Sequence, residues 1–186
     1  MIKWIKEKEE EKRYVFYRKI VQDDVVLEPS LREFCEANQC GQYGSNWMCP
    51  PSLGTYEELT EELRSCGNGI LMQMIYQLED SYDVEGWRKA LEVFDYKLRD
   101  IANQISRHIP REELLILGAG PCRYCEICTI KNGEPCLYPN QAIASVEAYS
   151  IEVSSTIKNV GLEYNNGPNT VSTVAILLER SSTRGD

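Results

Sequence analysis

The run ILMQMIYQL, residues 70–78, is apolar for strand length and interrupted only by glutamines. A half-solvated strand would alternate, so an unbroken run of this kind suits a strand buried on both faces. Downstream, Val84, Trp87, Leu91, Phe94, Leu98, Ile101 and Ile105 recur at intervals of three and four. That spacing puts all seven on one stripe of a long helix. Pro110 ends the pattern, and ELLILGAG, residues 113–120, reads as another buried strand. Strand, long helix, strand is a βαβ unit, which predicts parallel strands and a right-handed crossover. The expected class is α/β, with α+β as its variant: one mixed sheet flanked by helices.

Upstream, RYVFYRKI and DVVL are rich in β-branched and aromatic residues and predict a strand pair turning at VQDD, residues 21–24. Ser30 and Glu33 have the spacing of a capping box, and so do Thr55 and Glu58. Two short helices follow, the first carrying Cys35 and the second burying Tyr56, Leu59 and Leu63. Towards the C-terminus, Ser145, Val146, Tyr149, Val153, Ile157 and Val160 predict a helix closed by Gly161 at the position after its cap. The segment LEYNNGPNTVSTVAILLE, residues 162–179, reads as a β-hairpin with a Gly-Pro-Asn turn. The tail RSSTRGD reads as frayed, and its Arg-Gly-Asp tripeptide as chance.

The length of 186 residues suits a single domain, 1–186, with a core of its own. A net charge of −9 repels phosphate backbones, so nucleic acid is excluded as a partner class. No segment has the length of a membrane span, and the N-terminal MIKWIKEKEEEKRY lacks the apolar stretch of an export signal. Eight cysteines without that signal predict a reducing cytoplasm, where clustered thiols hold metals or do redox work rather than form bridges. The single histidine, His108, reads as a surface group at the end of the long helix. With one histidine, two-His zinc sites and Ser-His-Asp triads have little to build on.

The thiols fall into two loops. In loop two, residues 118–145, Cys122, Cys125 and Cys128 follow one another at C-x2-C-x2-C, and Cys136 lies eight residues on. Three successive thiols at this spacing wrap a cubane better than one ion, because a single tetrahedral zinc draws on two separated knuckles. The expected cofactor is a [4Fe–4S] cluster, with zinc or an unligated redox thiol group as alternatives. Loop one, residues 35–54, carries Cys35, Cys40 and Cys49, followed by Pro50 and Pro51 and hinged on Gly41 and Gly44. Three ligands are expected there, with Tyr43 and Trp47 as shields or plain core aromatics. Cys66 completes this set or is a lone buried thiol, the second being favoured. Without it, a cluster in loop one keeps one iron open. Glu147 reads as a capping charge in preference to an active-site carboxylate. LILGAG begins like a dinucleotide fingerprint, but Pro121 and Cys122 stand where the helix should open.

NQCGQYGSNWMCPPSLG and CRYCEICTIKNGEPCLYPNQAIASVEAYSIEV together resemble the paired signatures of an uncharacterised family of cysteine-rich predicted metal-binding proteins of anaerobic bacteria and archaea. The resemblance covers roughly residues 30–165. It implies Cys35, Cys40, Cys49, Cys122, Cys125, Cys128 and Cys136 as the metal-binding set, and it has no counterpart for Cys66. It brings no assigned reaction. The family's segment after loop two reads Ser-x-Glu-Ala-x-Gly-Ile-Asp-Val; here Ser150 stands for the glycine and Glu152 for the aspartate. The expected function is an iron–sulfur protein with one or two clusters, in electron transfer or small reductive chemistry at an open iron. Its partner is then a redox protein or a small-molecule substrate, and self-association is compatible with the sequence. The rival readings are a structural zinc module docking a protein through its acidic surface, and a thiol-based redox sensor or metal chaperone.

Overall fold

The computed structural model describes residues 6–7 and 13–181. The Arg-Gly-Asp tail and most of the charged N-terminal run therefore lie outside the described residues. The strands and α-helices are, in order, β1 Lys6–Glu7, β2 Arg13–Val21, α1 Leu31–Glu36, α2 Tyr56–Arg64, β3 Cys66–Gln77, α3 Val84–Ile105, β4 Leu114–Gly118, β5 Ala144–Ser145, α4 Val153–Asn159 and β6 Thr170–Arg180. The strands form one mixed sheet in the order β1-β2-β3-β6-β4-β5. The class is mixed α/β.

The stretch around Ile70 is the central strand, and the period-two rule explains its unbroken apolarity. Leu71 faces a core with Leu59 and Leu63 of α2 and Ile157 of α4, while Met72 and Met74 face Phe94, Leu98 and Ala102 of α3. β4 and β6 alternate in the same way: Leu115, Leu117, Ile176 and Leu178 join the first core, and Leu114, Ile116, Ala175 and Leu177 the second. The sheet is thus covered on both faces. Gln73 is fully buried and satisfied, its amide donating to the Glu163 carbonyl at 2.7 Å.

β3, α3 and β4 form the expected crossover with one change. β6 lies between β3 and β4 and runs antiparallel to both, so the two outer strands are parallel but not adjacent. The βαβ unit is split by the last strand of the chain. That strand was expected to belong to a C-terminal hairpin, but the preceding residues 162–169 form an irregular loop and β6 takes its partners from across the sheet. A slot between two buried strands satisfies both edges of β6, which a hairpin arm would not.

Helix α3 spans the predicted range, with Asp83 capping it by accepting from the Gly86 N–H at 2.7 Å. Its buried stripe is Ala90, Phe94, Leu98 and Ala102, so the predicted stripe holds in the middle and fails at the start. Val84 and Trp87 are exposed. The capping box at Thr55 and Glu58 forms as expected, but Ser30 makes no cap and bonds to Glu28 instead. DVVL does not pair with β2. After a 3-10 turn at residues 22–24 it runs alongside residues 150–152, with Leu27 bridging Ile151 and the Glu152 N–H donating to the Val26 carbonyl at 2.8 Å.

The helix expected from Ser145 is broken in two. A 3-10 turn over Glu147–Tyr149 ends at Ser150, whose φ of +55° turns the chain out of helical register. Helix α4 then starts afresh, capped by Glu152, whose carboxylate accepts from the Ser154 and Ser155 N–H groups at 3.1 and 2.6 Å. It ends at Gly161, φ +73°, as the sequence indicated. The two departures from the resembled family's pattern therefore sit at a left-handed turn and a helix cap. Ser150 is strained and fully buried, and its hydroxyl has no hydrogen-bond partner among the described residues. Ser150→Gly is expected to stabilise the protein by about 1 kcal/mol, raising Tm by about 2–4 °C in a scanning melt. A lowered Tm would contradict this account of the turn.

Candidate metal centre

Loop one connects α1 to α2, and loop two connects β4 to β5. Gly41, φ +71°, and Gly44, φ +65°, allow loop one to fold back so that the Gly44 N–H donates to the Pro50 carbonyl at 2.8 Å. Asn46, deeply buried, joins the two loops: its amide donates to the Cys122 carbonyl at 3.1 Å while its Oδ1 accepts from the Met48 N–H at 3.0 Å. The Trp47 indole N–H donates to the Glu134 carbonyl at 3.1 Å. Loop two is also tied to α3, where the Arg99 guanidinium lies 4.0 Å above the Tyr124 ring and is held by Asp95 at 2.7 Å. Tyr124 in turn packs on Tyr138 with ring centroids 5.2 Å apart, and Thr129 donates to the Pro135 carbonyl at 2.9 Å.

These ties bring the thiols of each loop to a cavity of their own. Cys122, Cys125, Cys128 and Cys136 line one of about 450 Å³, roofed from loop one by Asn46, Trp47 and Met48. Cys35, Cys40 and Cys49 line a second of about 380 Å³, together with Phe34, Tyr43 and Glu147. Gln42 and Pro121 belong to the walls of both, so the cavities are neighbours. Cys66 lines neither. It lies at the start of β3 in the core, its thiol donating to the Glu62 carbonyl at 3.4 Å. All eight cysteines are free thiols. Among the described residues, no three His, Cys, Asp or Glu side chains converge tightly enough to hold a single ion.

The electrostatics couple the thiols within each loop and, through Cys49, the two loops to each other. Burial pushes the Cys49 thiol up to about 12, and the neighbouring Cys40, Cys35, Cys122 and Cys128 act in the same direction. Cys35 is raised by burial against the opposing pull of Arg32, with Cys40 and Glu147 adding to the rise. Cys125 is raised by desolvation, then by Cys128, Cys122 and Cys136. Without a cation these thiols hold their protons, and a bound metal must displace them. Since the folded value for Cys49 exceeds the ordinary 9.0, the stability its thiol form contributes is complete below pH 9 and lost as the pH rises towards 12. Iodoacetamide labelling of the metal-free protein at about pH 9, read by mass spectrometry, is expected to modify exposed Cys40 well ahead of Cys49. Equal rates would contradict the burial argument.

Several features of the site were not read from the sequence. Asn46 has no pattern that marks it, since only the fold brings residue 122 to it. Glu147 was expected to cap a helix, but Glu152 does that, and Glu147 projects beside the loop-one thiols. Tyr149 was expected on a helix face. Its hydroxyl donates to Glu62, which also pairs with Arg180 at 2.6 Å.

A family model described as "Predicted metal-binding protein (DUF2284)" matches residues 18–178, the span that holds every one of these thiols. No curated protein and no solved structure matches the chain.

Proposed function

The chain belongs to this predicted metal-binding family, and we propose that it is an iron–sulfur protein, with a cluster in each cavity and a redox role. The observation that carries the reading is the pair of adjoining cavities, each lined by one cysteine set. A zinc ion holds its sulfurs about 2.3 Å from one point and hence about 3.8 Å from each other. The successive C-x2-C-x2-C thiols of loop two suit a cubane instead.

Cys122, Cys125, Cys128 and Cys136 would hold the first cluster, and Cys35, Cys40 and Cys49 the second. Such clusters supply one-electron chemistry at potentials set by charge, hydrogen bonding and solvent exposure. This chain's own residues set those conditions. Trp47 and Met48 cover one wall of the four-thiol cavity. Arg99, through Tyr124 and Tyr138, keeps loop two in place, so little reorganisation accompanies a change of charge. The adjacency of the cavities through Gln42 and Pro121 favours electron passage between them. A redox partner protein or a small substrate at the three-thiol site completes the reading. No helix among the described residues is long and apolar enough to cross a membrane.

The test is anaerobic purification followed by iron and acid-labile sulfide analysis of the full chain. About eight irons and about eight sulfides are expected for two clusters, and about four of each for one. A colourless protein with stoichiometric zinc and no sulfide would overturn the proposal in favour of a structural zinc module.

A further inference from the structure

The three-thiol cavity has one charged wall residue. Around Cys35, Cys40 and Cys49 stand Leu31, Phe34, Tyr43, Pro50, Pro121 and Ala148, and the only ionised side chain among the lining residues is Glu147. Its placement is a product of the fold. Helix α1, which carries Cys35, packs against the 3-10 turn Glu147–Tyr149. In that turn Val146 and Ala148 are buried on either side, so the backbone at Glu147 is held while its side chain projects outward. The Ser145 hydroxyl fixes the turn by accepting from the Ala148 N–H at 3.1 Å.

Glu147 is exposed at the rim of this cavity and takes no structural role among the described residues. It caps no helix, because Glu152 is the cap of α4. Its carboxylate has no hydrogen bond or ion pair with any described residue. By contrast Glu36, also beside Cys35, is paired with Arg32 across one helical turn. A three-thiol set also leaves one position of a cubane without a protein sulfur.

From this arrangement we infer that the Glu147 carboxylate is the fourth protein donor of the loop-one site, completing the Cys35, Cys40 and Cys49 set through oxygen. The inference rests on the iron–sulfur reading above. An oxygen donor is harder than thiolate and holds this kind of iron less firmly, so the position stays exchangeable and open to a small ligand entering from solvent. The loop-two cavity, with four thiols, has no such position. The two sites then differ in kind, one closed and one labile.

The test uses the full chain reconstituted with 57Fe and sulfide, as wild type and as Glu147→Gln, Glu147→Cys and Glu36→Gln. Mössbauer spectra give the iron subsites, and iron release on mild ferricyanide oxidation gives lability. In the wild type a subsite distinct from the thiolate-bound irons is expected. Glu147→Gln is expected to alter that subsite and release one iron about 10- to 100-fold faster, the scale of losing a ligand's support. Glu147→Cys is expected to slow the release and merge the subsite with the others. Glu36→Gln removes a neighbouring charge without removing a donor and is expected to match the wild type.

If Glu147→Gln leaves both spectrum and release rate unchanged, the inference fails while the cluster reading stands. The same holds if Glu36→Gln has as large an effect, since the cause is then a general field. If a Cys35→Ser, Cys40→Ser, Cys49→Ser variant retains all the wild-type iron, loop one holds no cluster, and both the reading of that loop and the inference fall together.

Discussion

The Cys125→Ser, Cys128→Ser variant is expected to purify with about four fewer irons per chain than the wild type while keeping its fold. Serine offers a hard, protonated oxygen where the site needs a soft thiolate, and two such losses leave only Cys122 and Cys136 on that cavity. The fold survives because loop two is held by bonds that involve neither side chain. The Asn46 amide reaches the Cys122 carbonyl, the Trp47 indole reaches Glu134, Thr129 reaches Pro135, and Arg99 holds Tyr124 from α3. Far-UV circular dichroism should therefore overlay the wild type as iron falls by half. Unchanged iron would show that the four-thiol cavity is not a metal site, and total loss would show that the two cavities share one centre.

Gly69→Ala is expected to be the most damaging small substitution in the sheet. A Cβ at residue 69 would stand 2.0 Å from the Leu177 carbonyl oxygen and 2.8 Å from the Leu178 side chain. The first of these is backbone of β6, the strand that closes the sheet between β3 and β4, so it cannot yield without opening the ladder. The register irregularity between Cys66 and Gly69 lies here, beside this close approach. The cost is about 3 kcal/mol, the upper part of the range for overpacking, and Tm should fall by about 6–12 °C. Gly67→Ala is the control, since its Cβ would meet nothing nearer than 3.8 Å. Equal melting of the two variants would refute the close-approach argument.

Local physics determined much of this protein from the sequence alone. The unbroken apolar runs at Ile70 and Leu114 marked strands covered on both faces, because only such strands need apolar groups at every position. The three- and four-residue spacing through Phe94 and Leu98 marked α3, and Thr55 with Glu58 marked the start of α2. The cysteine spacings separated two loops that line two cavities. Each of these depends on neighbours within a few turns of chain, so the information is local. The long helix expected from Ser145 failed for a local reason as well, since periodicity does not reveal that Ser150 adopts φ +55°.

Only the tertiary structure decided the rest. That β6 enters between β3 and β4 depends on which sheet edges remain unpaired, a property of the assembled strands rather than of residues 162–180. That DVVL runs beside Ile151 rather than β2 depends on where the chain after loop two returns. The same long-range packing brings Asn46 to Cys122 and carries Glu147 to the mouth of the Cys35, Cys40 and Cys49 cavity. Donor types and spacings are written along the chain, but which donors share a cavity depends on contacts between segments far apart in it, and these exist only once the sheet has closed.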